Sequence, residues 1–193
     1  MITLPISPEW TLFLDRDGVI NQRFMDHYVL KAEDFVFLPG VCESIAKLAE
    51  IFGTVLIVTN QQGIGKGLMT SDDLNDIHQM MLAQIKLSGG RIDKIYYCPG
   101  LKEHHPFCRK PSPGMALQAR KDFPHIRFKK SVMVGDTLSD MQFGKNMGMK
   151  TVLIGSDRDL VKANDRLIDY FFPSLVDFAN HLQKMQRNSS KIQ

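Results

Sequence analysis

Leu12-Phe13-Leu14-Asp15-Arg16-Asp17-Gly18-Val19-Ile20-Asn21 is an apolar run that halts at two carboxylates two residues apart and then breaks at a glycine. A short apolar run ending in turn chemistry reads as a buried strand whose C-terminal tip opens into a loop. In open α/β sheets that tip is where ligands bind. Two acids this close cannot both stay ionised and unpaired; they take different pKa values or share a cation. Taken alone, Asp-x-Asp-Gly is equally well an Asx-type turn after a strand.

Outward from this stretch, strand and helix signals alternate. Residues 18 to 38 form an irregular segment with scattered aromatics, long enough for a flap over the strand tip. Val41, Ile45, Leu48 and Ala49 recur at helical spacing up to Gly53, and Thr54 to Thr59 is a β-branched run of strand length. Thr70 with Asp73 has the form of a capping box before Leu74, Ile77, Met81 and Ile85, with Gly89-Gly90 as the stop. Ile92 to Cys98 predicts a third strand, Ser112-Pro113 the cap of a helix reaching about Phe123, and Ser131 to Val134 a fourth strand. A helix to about Asn146 and a fifth strand at Thr151 to Ile154 follow. This order predicts an α/β fold: a Rossmann-like parallel sheet with helices on both faces and no large cap domain. A short apolar segment and an amphipathic helix over 168 to 185 complete one domain spanning residues 1–185, before a polar, frayed tail at 186–193.

Composition bounds the function. The 193 residues are 44% apolar and 23% charged, and the net charge of +3 is too small to argue for nucleic acid. A mildly basic surface suits a small phosphorylated metabolite. No apolar stretch approaches the roughly 20 residues needed to cross a bilayer, so no membrane partner is expected. Cys42, Cys98 and Cys108 are too few for a disulfide scaffold, which favours a reducing compartment and a cytoplasmic location. Oligomeric state is not legible.

Three more motifs fall at strand tips. Thr59-Asn60 ends the second strand and runs into Gln61-Gln62-Gly63-Ile64-Gly65-Lys66-Gly67, whose glycines let backbone amides approach an anion. Arg109-Lys110-Pro111 places two cations before a helix start, where dipole and donors favour phosphate. Asp136, in Gly135-Asp136-Thr137-Leu138-Ser139-Asp140, puts a carboxylate at a further tip. Singly these are a strand cap, a solvated charge pair and an N-cap. Met141, Phe143 and Met147 read as packing groups; His27 and Tyr28 lie in the flap.

The ordered set Asp15-x-Asp17, Thr59, Lys110 and Asp136 resembles the haloacid dehalogenase superfamily of phosphohydrolases over residues 12 to 155. Leu-Asp-Arg-Asp-Gly-Val-Ile-Asn, Thr-Asn-Gln-x-Gly-Ile-Gly and Cys-Arg-Lys-Pro-x-Pro-Gly-Met are similar, within it, to the group of histidinol phosphatases and D-glycero-D-manno-heptose-1,7-bisphosphate phosphatases. The resemblance implies a phosphatase forming an aspartyl phosphate, with Asp15 as nucleophile and Asp17 as acid and base. It implies Mg²⁺ held by Asp15, Asp136 and the backbone carbonyl of Asp17, an all-oxygen set suited to this hard ion. Thr59 and Lys110 would grip the phosphoryl oxygens, Asn60, Gln61 and Gln62 would position the phosphate, and Arg109 would meet the rest of the substrate. Asp140 would support the metal ligand or cap its helix.

Heptose-bisphosphate phosphatases usually carry a zinc loop, Cys-x-His followed by Cys-x-Cys. Here Cys98 and Cys108 hold the outer positions while Gly100 and Pro106 replace the inner ligands. His104 and His105 lie between them, but adjacent histidines in so short a loop struggle to face one tetrahedral centre, so two buried thiols without structural zinc are expected. A sugar bisphosphate is the first-choice substrate, since Arg109 and Lys66 offer cations to a distal phosphate. Histidinol phosphate, the alternative, would call for acids near the mouth, for which Asp26 and Glu103 are the candidates. A phosphoacceptor signalling module also carries acids, Thr and Lys at strand tips, but its paired acids and its phosphorylation site lie on different strands; catalytic turnover separates the two.

Overall fold

The computed structural model describes residues 6–24 and 27–189. The apolar runs become strands β1 (Thr11–Leu14), β2 (Thr54–Asn60), β3 (Lys94–Cys98), β4 (Ser131–Gly135), β5 (Lys150–Ile154) and β6 (Tyr170–Phe172). Among the described residues they form one parallel sheet in the order β3-β2-β1-β4-β5-β6, with Leu14 between Ile57 and Val134. The chain therefore winds outward in both directions from β1, and the two halves part between β1 and β4. At such a switch point the strand tips open a crevice for ligands.

Helices α1 (Val41–Ile51), α3 (Ser71–Leu87) and α7 (Leu175–Ser189) cover one face, and α4 (Gly114–Asp122) and α5 (Leu138–Asn146) the other. The strands sort their side chains accordingly. Leu12, Leu14, Ile57 and Val134 pack with Ile45, Leu74 and Phe178, whereas Phe13, Leu56 and Met133 pack with Met115, Ala119 and Phe143. Both faces are dry, so the strands read as continuous apolar runs rather than alternating ones. Phe13 is fully buried, and truncation to Ala would cost about 3–5 kcal/mol.

Several boundaries differ from the sequence expectation. Thr70 and Asp73 do form a reciprocal capping box on α3. Pro113 takes the N-cap position of α4, which starts at Gly114 and is capped at its end by Phe123, with no side-chain hydrogen bond at the N-cap. The Gly-rich segment after β2 closes into one helical turn, α2 (Gln62–Gly65), in place of an open loop. A short helix α6 (Arg158–Ala163) and the three-residue β6 extend the predicted five-strand pattern. The last helix runs to Ser189, so residues 186–189 of the expected tail are helical and 190–193 lie outside the described residues. Among the described residues no helix is long and apolar enough to cross a membrane.

Candidate active site

Asp15 directly follows β1, and its backbone N–H donates to the Val134 carbonyl at 2.9 Å, which fixes it at the mouth between β1 and β4. Its carboxylate accepts from the Arg16 backbone N–H at 2.8 Å and meets the Lys110 ammonium at 2.7 Å. Lys110 is buried. It also lies 2.6 Å from Asp140 and donates to the Val58 carbonyl at 2.7 Å, so two carboxylates and a carbonyl surround the ammonium. Burial alone would lower its pKa, yet Asp140 and Asp15 outweigh this and hold it charged. Burial, followed by the negative charges of Asp140 and Asp136, pushes Asp15 up to about 8 against the pull of Lys110.

Asn60 at the end of β2 holds the Lys110 backbone from both sides: its Oδ1 accepts from the Lys110 N–H at 3.1 Å and its Nδ2 donates to the Lys110 carbonyl at 3.4 Å. Thr59 and Gln61 are buried beside it, with Gln61 Nε2 donating to Thr59 Oγ1 at 2.8 Å.

Asp17 is turned a different way from Asp15. Both its oxygens face the Arg16 guanidinium at 2.9 and 3.0 Å; Asn21 adds a donor to Oδ1 and Gln61 one to Oδ2, each at 2.9 Å. Burial would raise the Asp17 pKa, but the Arg16 charge and these donors lower it below the usual value, so Asp17 stands as a carboxylate.

Asp136 follows β4 and is clasped at 2.9 and 3.1 Å by Arg23 from the flap. Gly18 at φ +90° lies against it, and a Cβ there would strike the Asp136 carboxylate. Only glycine gives both that backbone angle and that clearance. Carboxylate oxygens of Asp15, Asp136 and Asp140 lie within 4.8 Å of one another. Three hard oxygen donors on one small volume fit Mg²⁺. Asp140 also closes a reciprocal capping box with Thr137 at the start of α5.

The structure thus gathers Asp15, Asp17, Thr59, Lys110 and Asp140, with Asn60, Gln61, Gln62 and Arg109, around one cavity of about 580 Å³. Beyond the acidic floor its wall carries Arg23, Lys102 and Arg109 with the aromatic groups Phe24, His27 and Tyr28. Lys66, expected to face the substrate, stays outside that lining with its ammonium 5.2 Å from the Tyr28 ring. Glu103 is exposed and also outside the lining, and Asp26 lies outside the described residues. Sequence reasoning did not single out Arg16, Arg23 or His78; the one available signal was an arginine between two acids at the end of an apolar run.

The Cys98 to Cys108 loop departs from the two expected thiols. A 3₁₀ turn at Lys102–His104, followed by His105 at φ +45°, reverses the chain, and Cys108 returns to bond Cys98 with Cα atoms 5.3 Å apart. Each sulfur therefore has the other as its partner, and His104 and His105 are exposed.

The chain is 36% identical over 179 residues to a D-glycero-alpha-D-manno-heptose-1,7-bisphosphate 7-phosphatase of Mycobacterium bovis, covering 93% of this chain and 94% of that protein. It is 36% identical over 190 residues to a D-glycero-beta-D-manno-heptose-1,7-bisphosphate 7-phosphatase of Escherichia coli, covering 91% and 95%. The chain belongs to the phosphatases of the haloacid dehalogenase superfamily. A family model described as HAD-hydrolase-like matches residues 107–178 of this phosphatase. A crystal structure of D,D-heptose 1,7-bisphosphate phosphatase from B. bronchiseptica, complexed with magnesium and phosphate, superimposes on it with a TM-score of 0.82 at 30% identity. The match covers 91% of this chain and 99% of that one. Membership among phosphatases sets the signalling-module alternative aside.

Proposed function

We propose that this phosphatase removes the 7-phosphate of D-glycero-D-manno-heptose 1,7-bisphosphate through an aspartyl phosphate. One observation supports the bisphosphate above all: beyond the acidic floor, the described cavity wall carries Arg23, Lys102 and Arg109 and no carboxylate. A second phosphate finds charge-assisted donors there. The amine and imidazole of histidinol phosphate would meet like charge. Relatives named for the alpha and for the beta anomer both reach 36% identity over most of the chain, so the proposal covers the heptose bisphosphate without choosing the anomer.

In the proposed first step an Asp15 carboxylate oxygen attacks phosphorus, the P–O bond to the sugar breaks, and the departing oxygen takes its electron pair and a proton from Asp17. Water then attacks the phosphoenzyme and gives its proton to Asp17, and the Asp15–phosphorus bond breaks. Asp17 must therefore gain a proton on leaving the donors that hold it as a carboxylate. Lys110 and Thr59 would hold the equatorial phosphoryl oxygens, where charge shifts in the transition state. Asp15 and Asp136, with the Asp17 backbone carbonyl, would bind Mg²⁺, and Asp140 would orient Lys110. When bound, Mg²⁺ supplies positive charge that offsets repulsion between phosphate and the Asp15 carboxylate. Phosphate release from heptose 1,7-bisphosphate, histidinol phosphate and common sugar phosphates tests the reading. A higher kcat/KM on histidinol phosphate would refute the substrate and leave the phosphatase assignment intact.

A further inference from the structure

Arg16, between the two acids, is the largest of the fully buried side chains, 1% exposed. A guanidinium cannot shed its charge, so burying it is costly unless its donors are met. Its terminal nitrogens are occupied in two directions. One binds both oxygens of Asp17; the other lies 3.5 Å from Nε2 of His78 on α3. The Phe35 ring lies 5.9 Å from its Cζ, and Nε finds no hydrogen-bond partner. His78 is buried, and burial followed by the Arg16 charge pushes its pKa down to about 4. It is therefore neutral at ordinary pH and offers a lone pair to the guanidinium. A cation needed only to neutralise Asp17 could sit at the surface; this one is fixed from α3 behind and aims at one carboxyl in front.

We infer that Arg16, held from behind by His78, is a positioning residue for the acid and base Asp17. It sets the place from which that carboxyl reaches the leaving oxygen. The inference rests on the phosphatase chemistry proposed above. In the first transfer the Asp15–phosphorus bond forms as the phosphorus–oxygen bond to the leaving group breaks. An alkoxide leaving group must take a proton from Asp17, whereas a nitrophenolate departs unaided. Misplacing Asp17 should therefore slow alkyl phosphates selectively. A merely structural role would slow both classes alike.

The test compares kcat/KM, which covers steps only as far as the phosphoenzyme, for a sugar phosphate and for p-nitrophenyl phosphate. The proteins are the wild type, Arg16→Lys, His78→Leu and His78→Gln. The sugar-to-aryl ratio should fall by about tenfold or more in Arg16→Lys, below the ~10²-fold of losing the acid outright. It should fall less in His78→Leu and recover in His78→Gln, whose amide oxygen restores an acceptor. If Arg16→Lys does not fold, the two His78 variants decide. An unchanged ratio in the folded variants, or parallel losses on both substrates, overturns the inference. Failure of the wild type to release phosphate from either substrate would instead refute the phosphatase chemistry.

Discussion

Replacing Lys110 by Met should unbalance the floor of the site. The ammonium lies 2.7 Å from Asp15 and 2.6 Å from Asp140, with 2% of its side chain exposed. At an effective dielectric of about 20, each contact is worth about 6 kcal/mol of Coulomb attraction. Desolvating a buried ammonium takes back several kcal/mol, and removing one member of a buried ion pair costs about 3–5 kcal/mol net because the remaining charges stay uncompensated. For a domain of this size that is a fall in Tm of about 6–20 °C. Protonation can supply the missing positive charge. Burial already raises Asp15 to about 8, so the difference between variant and wild type should narrow as pH falls through the neutral range. Chemical denaturation of both proteins in metal-free buffer at pH 8 and pH 5.5 reads this directly. A loss below about 1 kcal/mol at pH 8, or a gap that widens in acid, would refute the view of Lys110 as the counter-charge of this floor.

Asp15→Asn should abolish turnover, and Asp17→Asn should lower kcat by about 10²-fold or more, both read as phosphate release. Arg109→Ala should reduce kcat/KM on the bisphosphate by about 2 kcal/mol, near 30-fold, and should affect a monophosphate far less. His78 has a folded pKa near 4, below its unfolded value, so its neutral form is favoured by folding. Its contribution to stability is complete above about pH 6.5 and lost as pH falls towards 4; His78→Gln should flatten that limb of the denaturation profile. Thiol titration of the denatured, unreduced protein should find one free thiol, Cys42, and three after reduction, since Cys98 and Cys108 are paired.

The sheet was legible because strands buried on both faces are written as unbroken apolar runs, as in Val55 to Val58, and because acids or a hydroxyl mark their ends. Asp15, Thr59 and Asp136 could be found from their place after such runs. β6 was not legible as a strand: its three residues, each half-buried, carry no period, and among the described residues it pairs only along β5. Arg16 escaped notice for a different reason. An arginine beside aspartates ordinarily reads as solvated, and its burial next to His78 of α3 and the ring of Phe35 shows only in the fold. The pairing of Cys98 with Cys108 joins residues ten apart across a loop in which His105 takes the left-handed region, a course that no spacing rule conveys. Lys66 was misjudged because α2 coils what looked like an open loop and carries that ammonium to the Tyr28 ring.

The segment between Cys98 and Lys110 is fastened at both ends: by the sulfur bridge, by the Pro99 and Phe107 carbonyls accepting from the Gly65 and Gly114 N–H groups at 3.1 Å, and by the two-way grip of Asn60 on the Lys110 backbone. Between them run residues 99–107, which supply Lys102, His105 and Pro106 to the cavity wall but none of the reacting groups. Grafting a loop of different length or charge between these anchors would retune which phosphate ester is accepted while the chemistry beneath stays in register.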